Sequence, residues 1–211
     1  MDRKLRTLMS PETLEVVDPR LQLPLPEILP PCSVPRPSEL IRLPDSLPPR
    51  FKLAQVTSQN VGDLKHLCQC LFPLPYPASL FREVSKGQKL RAVLAVMDDD
   101  SETLKKGSVI GCMAWERVPD SEGRITKVNL LLFGVRVLLR RRGVGTVMWR
   151  MLTERIEPAA DEIAFVVHAE NHGAIKMYEA MGCETKEVCK NYYKRLECPD
   201  GVLMTWSRSQ D

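Results

Sequence analysis

The stretch Arg140–Gly145, RRRGVG, lies between an apolar segment with the pattern of a strand and an amphipathic segment with the pattern of a helix. Glycines at positions 143 and 145 allow backbone N–H groups to approach a ligand closely. The helix that begins there adds partial positive charge, and the arginines add full charges. The stretch therefore favours binding of a phosphate or pyrophosphate. It is not a P-loop, and Met148 stands where a G-x-G-x-x-G dinucleotide motif requires Gly or Ala.

A second motif follows after one further strand. Residues 171–182 read NHGAIKMYEAMG, and they come directly after an apolar run that predicts a strand at Ile163–Ala169. The pattern predicts a helix at Gly173–Met181, with Asn171 near its start and Gly182 as its C-terminal stop. The chain thus pairs R-x-x-G-x-G with N-x-x-A-I-x-x-Y-x-x-x-G across one helix and one strand.

Short strand-like and helical stretches alternate through the rest of the chain after residue 50, which predicts an α+β domain with one core. The other predicted elements are strands at Phe51–Val56, Leu90–Met97, Val109–Val118, Thr185–Tyr193 and Val202–Ser207, helices from Asn60 to before Pro73 and over Val144–Glu157, and a long strand at Ile125–Leu138 with a bulge at Gly134.

Composition limits the possible functions. The chain has 211 residues, enough for one domain with an appendage, and a net charge of +3, which gives no whole-molecule case for nucleic-acid binding. No apolar run is long enough to span a membrane, and no secretion signal is present, so a cytoplasmic protein is expected.

Residues 1–50 hold eleven of the 17 prolines and no Phe, Trp or Tyr, which predicts an irregular N-terminal arm before a domain at 51–211. This arm is either a partner-docking segment or a loosely attached tail.

Seven cysteines, an odd number without a C-x-x-C pair, argue against a disulfide framework and a zinc ribbon. His66, Cys68 and Cys70 are the nearest approach to a metal-binding cluster, but side chains two residues apart on a helix point to different faces. No metal is expected.

The two linked motifs resemble those of the GNAT family of acyl-CoA-dependent N-acetyltransferases, and the resemblance spans about residues 51–207. It implies a mixed, twisted β-sheet flanked by helices, with two central strands that splay apart to admit acetyl-CoA. The glycine turn would hold the CoA pyrophosphate, and Asn171 and Tyr178 would face the cofactor. The cofactor-binding residues that it implies are Phe133, Gly134, Val135, Arg140, Arg141, Arg142, Gly143, Val144, Gly145, Thr146, Asn171, Ala174 and Tyr178.

Two further motifs, FPLPY at Phe72–Tyr76 and KNYYKR at Lys190–Arg195, resemble those of the NatE type of catalytic subunit within this family. The first of them also resembles the Golgi-associated NatF type, but no membrane-anchoring tail follows Asp211. The NatE resemblance implies acetylation of nascent peptide N-termini that begin with Met and a hydrophobic residue. It also implies association with the NatA auxiliary and catalytic subunits and with the ribosome. The residues expected to line the peptide site are Phe72, Pro73, Leu74, Tyr76, Leu131, Tyr192 and Tyr193.

The residues expected to act in catalysis depart from the family pattern. Relatives place a Tyr and a His where this chain has Asn129 and Val166, and neither of these can act as a base. His168 lies two residues further along the same strand and therefore on the same face, so it is the candidate substitute. Asn129 can still hold a water. Tyr178 is the candidate proton donor to the CoA thiolate, and a backbone N–H around Phe133–Val135 is the candidate for the thioester oxygen.

Three functions remain open on these grounds. The first is an active N-terminal α-acetyltransferase. The second is a catalytically impaired subunit that binds CoA and serves as a scaffold in the NatA/NatE assembly. The third is a lysine-directed acetyltransferase, which needs a true base more because the amine pKa lies near 10.4.

Overall fold

A computed structural model describes residues 50–98, 104 and 106–208 of the chain. The Pro-rich arm predicted at residues 1–50 lies, apart from Arg50, outside the described residues. None of the described helices is long and apolar enough to cross a membrane.

Seven strands and four α-helices alternate along the described part of the chain. The strands are β1 (Phe51–Gln55), β2 (Leu90–Met97), β3 (Val109–Pro119), β4 (Ile125–Val135), β5 (Glu162–His168), β6 (Cys183–Cys189) and β7 (Gly201–Ser207). The α-helices are α1 (Val61–Leu71), α2 (Ala78–Lys86), α3 (Val144–Met151) and α4 (His172–Ala180), with a 3₁₀ turn at Val137–Leu139 and a π-helical turn at Leu152–Ile156. The α+β expectation is confirmed.

The strands form one mixed sheet in the order β1-β2-β3-β4-β5-β7-β6. All neighbouring strands are antiparallel except β4 and β5, which run parallel. These two strands pair only through Lys127↔Glu162, Val128↔Ile163 and Asn129↔Ala164. Beyond Asn129 the ladder stops although both strands continue, so a gap opens between their C-terminal halves. The predicted splayed strands are therefore present.

The sheet is covered on both faces. Helices α3 and α4 pack on one face through a cluster that includes Met148, Trp149 and Tyr178. Helices α1 and α2 pack on the other face through a smaller cluster that includes Leu64, Leu67 and Phe81. Alternation along each strand sends successive side chains to these two faces, so each layer of helices approaches the β4–β5 gap from its own side.

The structure differs from the sequence predictions at three places. Helix α2 was not predicted, although Phe81 and Val84 form its buried side and Gly87, with φ +64°, ends it. The bulge in β4 lies at Leu131, between the Leu132↔Ala114 and Leu130↔Trp115 pairs, whereas Gly134 keeps regular register. Strand β6 ends at Cys189, so Tyr192 and Tyr193 lie in the loop that follows it.

Candidate functional site

The turn at Arg140–Gly145 connects β4 to α3. Gly143, with φ +75°, occupies the position before the helix, and no side chain caps the N-terminus. The first α-helical bond in this turn runs from Val147 N to Gly143 O, so the N–H groups of residues 144–146 have no helical acceptor. The residues just before these donors in the chain include Arg140 and Arg141, which are both exposed. An exposed helix N-terminus beside arginines is suited to a phosphate group.

Two hydrogen bonds from arginine side chains to backbone carbonyls fix the end of β4 to β3 and the turn to β4. Arg136 donates from Nε to the Val109 carbonyl at 2.6 Å, and Arg140 donates from Nε to the Val135 carbonyl at 3.1 Å. Thr146 is exposed and Gly145 is half-buried, with Phe133 3.6 Å from the place where a Cβ of Gly145 would lie. The turn is therefore fixed to the strand that borders the gap.

The backbone of β4 presents polar groups to the gap. Arg136 N donates to Ile110 O on β3, and the antiparallel ladder alternates from there. Gly134 therefore pairs with β3, while the N–H groups of Phe133 and Val135 point towards β5. On the other side of the gap, Ala169 N donates to Asp200 O, so the same alternation turns the Val166 carbonyl away from β7 and into the gap.

Tyr178 of α4 closes the α3/α4 side of the gap. Its ring lies 4.3 Å from Phe165, 5.6 Å from Trp149 and 6.1 Å from Phe133, measured between ring centroids. Burial raises the pKa of its hydroxyl well above the usual value, so the group stays protonated across the physiological range. The hydroxyl has no hydrogen-bond partner among the described residues. It is therefore free to donate a proton.

Asn171 begins α4, as predicted, and its Oδ1 accepts from the backbone N–H of Ala174 at 3.2 Å. Ala174 is half-buried and packs on the larger core cluster. This cap accounts for one atom of the Asn171 side chain and leaves its amide nitrogen available to a ligand.

The segment Phe72–Tyr76 borders the gap from the α1/α2 face. The Phe72 and Tyr76 rings meet edge to face at 5.4 Å. Gly134 allows this approach, because a Cβ there would lie 2.8 Å from Leu71 Cδ1 and 3.0 Å from Phe72 Cζ. Pro73 is exposed, whereas Leu74 and Leu131 of the β4 bulge are half-buried.

The loop after β6 brings two tyrosines to the same face. Tyr192 and Tyr193 pack edge to face at 4.8 Å, and Tyr193 donates from its hydroxyl to the Val166 carbonyl at 3.1 Å. Since that carbonyl points into the gap, Tyr193 reaches the edge of the opening. Burial raises the pKa of Tyr76 and of Tyr192. The Tyr193 phenol adds to the pKa shift of Tyr76, and the Tyr76 phenol adds to that of Tyr192, so the Phe72–Tyr76 segment and the tyrosine loop lie close together.

His168 lies at the end of β5, half-buried beside Tyr193, with 5.4 Å between the ring centroids. Its Nε2 lies 2.7 Å from the Cys198 carbonyl. A carbonyl oxygen only accepts, so this contact places a proton on Nε2 and leaves Nδ1 as the basic nitrogen. The ligand atoms of His168, Glu170 and Cys198 also lie within 4.8 Å of one another, a grouping that the sequence did not indicate.

Asn129 is 4% exposed and lies where the β4–β5 ladder ends. Its Nδ2 donates to Oε2 of Glu116 on β3 at 3.2 Å. Glu116 was missed in the sequence, where the only signal was a carboxylate within the apolar strand Val109–Val118. Val166 contacts Gly201 and carries no polar side-chain atom near Asn129.

Comparisons with known proteins agree with this geometry. The family model described as FR47-like protein matches residues 113–193. N-alpha-acetyltransferase 50 of Danio rerio is 33% identical over 157 residues, which cover 74% of this chain and 87% of that protein. Probable N-acetyltransferase san of Drosophila melanogaster is 30% identical over 156 residues, 73% of this chain and 79% of that protein.

A solved structure shares the fold. Arabidopsis thaliana Naa50, in complex with the bisubstrate analogue CoA-Ac-MVNAL, matches with a TM-score of 0.63 and 23% identity over 75% of this chain and 99% of that one. The splayed strands, the uncapped glycine turn and this similarity lead to one assignment. The chain belongs to the GNAT family of acetyl-CoA-dependent N-terminal acetyltransferases, in the group that contains N-alpha-acetyltransferase 50.

Proposed function

We propose that this chain acetylates the α-amine of polypeptides that begin with Met followed by a hydrophobic residue. The observation that carries the proposal is the convergence of Phe72, Tyr76 and Tyr193 at the mouth of the β4–β5 gap, on the face opposite α3 and α4. Aromatic and apolar side chains at this mouth offer a surface for a hydrophobic N-terminus. The analogue bound to the plant relative carries a peptide that begins Met-Val, which supports the same specificity.

The proposed chemistry needs little base assistance. An α-amine has a pKa of about 7.7–8.0, so a substantial fraction is neutral near pH 7.5 and can attack the thioester. The N–H of Phe133 or Val135 would stabilise the developing oxyanion, and Tyr178 would protonate the departing thiolate. His168 would act as base through Nδ1.

The proposed cofactor site runs from the uncapped N-terminus of α3 to the gap. Arg140–Thr146 would hold the CoA pyrophosphate, and pantetheine would pair with the free backbone groups of β4 and β5. Asn171 and Ala174 would border the cofactor beside Tyr178. We further propose a cytoplasmic enzyme with a domain at 51–211 behind a Pro-rich arm at 1–50, associated with the NatA auxiliary and catalytic subunits at the ribosome.

The test uses the full chain, radiolabelled acetyl-CoA and the peptide Met-Val-Asn-Ala-Leu. Met-Val-Asn-Ala-Leu-Lys with a blocked N-terminus is the control for lysine-directed or non-specific transfer, and a peptide beginning Ser-Asp tests the preference. Label on the free Met-Val peptide alone is expected. Equal labelling of the blocked peptide, when it carries a lysine, would overturn the α-amine assignment.

A non-catalytic scaffold is the second candidate. The observation that favours it is that Asn129 and Val166 supply no base and that one nitrogen of His168 is already engaged by Cys198. Calorimetric binding of acetyl-CoA without label on any of several hydrophobic N-termini would select this function.

A further inference from the structure

Glu116 is a buried carboxylate at the end of an otherwise apolar strand. Its side chain is 1% exposed and projects to the α1/α2 face of the sheet, the face that Cys112 and Ala114 of the same strand also share. Burial of a charge is costly unless the charge is paired and hydrogen-bonded. Two partners meet this requirement, and one of them lies at the start of the gap.

Each carboxylate oxygen of Glu116 has its own partner. Oε1 lies 2.5 Å from Nζ of Lys89, and Oε2 accepts from Nδ2 of Asn129 at 3.2 Å. A carboxylate only accepts hydrogen bonds, so it selects the nitrogen of the Asn129 amide and turns the oxygen the other way. The orientation of this amide is therefore set by the charge on Glu116.

Asn129 lies at the point where the β4–β5 gap begins. Asn129 is the last β4 residue paired with β5, opposite the small side chain of Ala164, so it forms the base of the gap. Its Oδ1 has no hydrogen-bond partner among the described residues. An unpaired acceptor on a side chain that is only 4% exposed is available to an N–H donor on a ligand.

We propose that Lys89 and Glu116 are positioning residues that hold Oδ1 of Asn129 towards the gap, where it accepts a hydrogen bond from the attacking α-amine. Asn129 thus orients the amine without taking its proton. Lys89 pairs with one oxygen of Glu116 and the other oxygen fixes the amide, which ties the three residues into one unit. The inference rests on the proposed peptide site and assigns how that site holds the nitrogen.

The experiment compares Glu116→Met, Glu116→Gln and Asn129→Ala in the full chain, with steady-state kinetics on Met-Val-Asn-Ala-Leu. Replacement of a buried ion pair by an apolar side chain of similar volume is often neutral or stabilising, so Glu116→Met is expected to fold. The peptide KM is expected to rise about tenfold, the loss of one hydrogen bond, while the KM for acetyl-CoA stays unchanged. Glu116→Gln, which can still accept from Asn129, is expected to recover part of the affinity.

Because the residues act as a unit, the double variant Glu116→Met with Asn129→Ala is expected to raise the peptide KM no more than Asn129→Ala alone. The matched control is Glu157→Gln, a carboxylate 3% exposed and bonded to Trp115 and Arg117, which belongs to the opposite face. An unchanged peptide KM in Glu116→Met, additive losses in the double variant, or a shifted pH profile, which would make Glu116 a base, would each overturn the proposal. Failure of the unaltered chain to acetylate any α-amine would instead refute the proposed function.

Discussion

Replacement of Gly201 with alanine is expected to destabilise the fold and to displace the tyrosine loop of the proposed peptide site. Gly201 begins β7 and pairs with His168 of β5. A Cβ at this position would lie 2.5 Å from Cγ1 of Val166 and 3.3 Å from Cβ of Tyr192. A contact of 2.5 Å is about 1 Å shorter than real carbon contacts allow, so Val166 or the tyrosine loop must move.

The loss in free energy of unfolding depends on how far Val166 and Tyr192 can move. Val166 is β-branched and stiff at χ1, and the Tyr192 contact involves the atom next to the backbone, so neither can simply rotate aside. Overpacking of this kind typically lowers the free energy of unfolding by about 1–3 kcal/mol. Movement of the loop would also displace Tyr193 from the Val166 carbonyl. The KM for peptide is therefore expected to rise while acetyl-CoA binding is retained.

The assay combines chemical unfolding with kinetics, and it includes a compensating variant. Val166→Ala removes the Cγ1 atom that collides, so Gly201→Ala together with Val166→Ala is expected to recover most of the lost stability. Gly201→Ala with unaltered stability and peptide KM would refute the reasoning, and so would a double variant that is as unstable as the sum of the two single ones.

Three further predictions concern the cofactor side of the sheet. Gly143→Ala is expected to weaken acetyl-CoA binding measured by calorimetry and to lower stability by about 1–2 kcal/mol, because φ +75° disfavours a side chain; unchanged binding would contradict the assignment of the turn. Tyr178→Phe is expected to lower kcat on the order of a hundredfold with both KM values retained, since only an unpartnered hydroxyl is lost; normal turnover would exclude it as the acid. Burial raises the pKa of Cys183 to about 12, so its stabilising contribution is complete below about pH 9 and is lost progressively as the pH rises from there towards 12. Alkaline unfolding monitored by circular dichroism should be less steep in Cys183→Ala, and an identical pH dependence would contradict this.

The sequence predicted the motifs that local patterns encode. The glycine turn, the start of α4 at Asn171 and its end at Gly182 follow from backbone rules within a few residues, and the structure has all three. Helix α2 has the same kind of signals in Phe81, Val84 and Gly87, but the prolines before it obscured them. This element was predictable and was missed.

Other features depend on contacts distant in sequence. The bulge in β4 lies at Leu131 because the strand must match the register of β3, and no residue type in β4 alone specifies that position. The partners of Glu116 come from residues 89 and 129, on either side of it in the chain. A single carboxylate in an apolar strand indicated that partners must exist, but only the pairing of β3 with β4 identifies Asn129.

The short β4–β5 ladder has a consequence for the dynamics of the molecule. Three register pairs join a four-stranded half, β1 to β4, to a three-stranded half, β5 to β7. A cofactor that bonds to both strands beyond Asn129 would extend this joint and bind the folded state alone, so it would stabilise the two halves together. Amide hydrogen exchange should then slow on both sides of the gap when acetyl-CoA is added, including at Phe133 and Val135. Acetyl-CoA would thus also join the two halves of the sheet by hydrogen bonds where the β4–β5 ladder is absent.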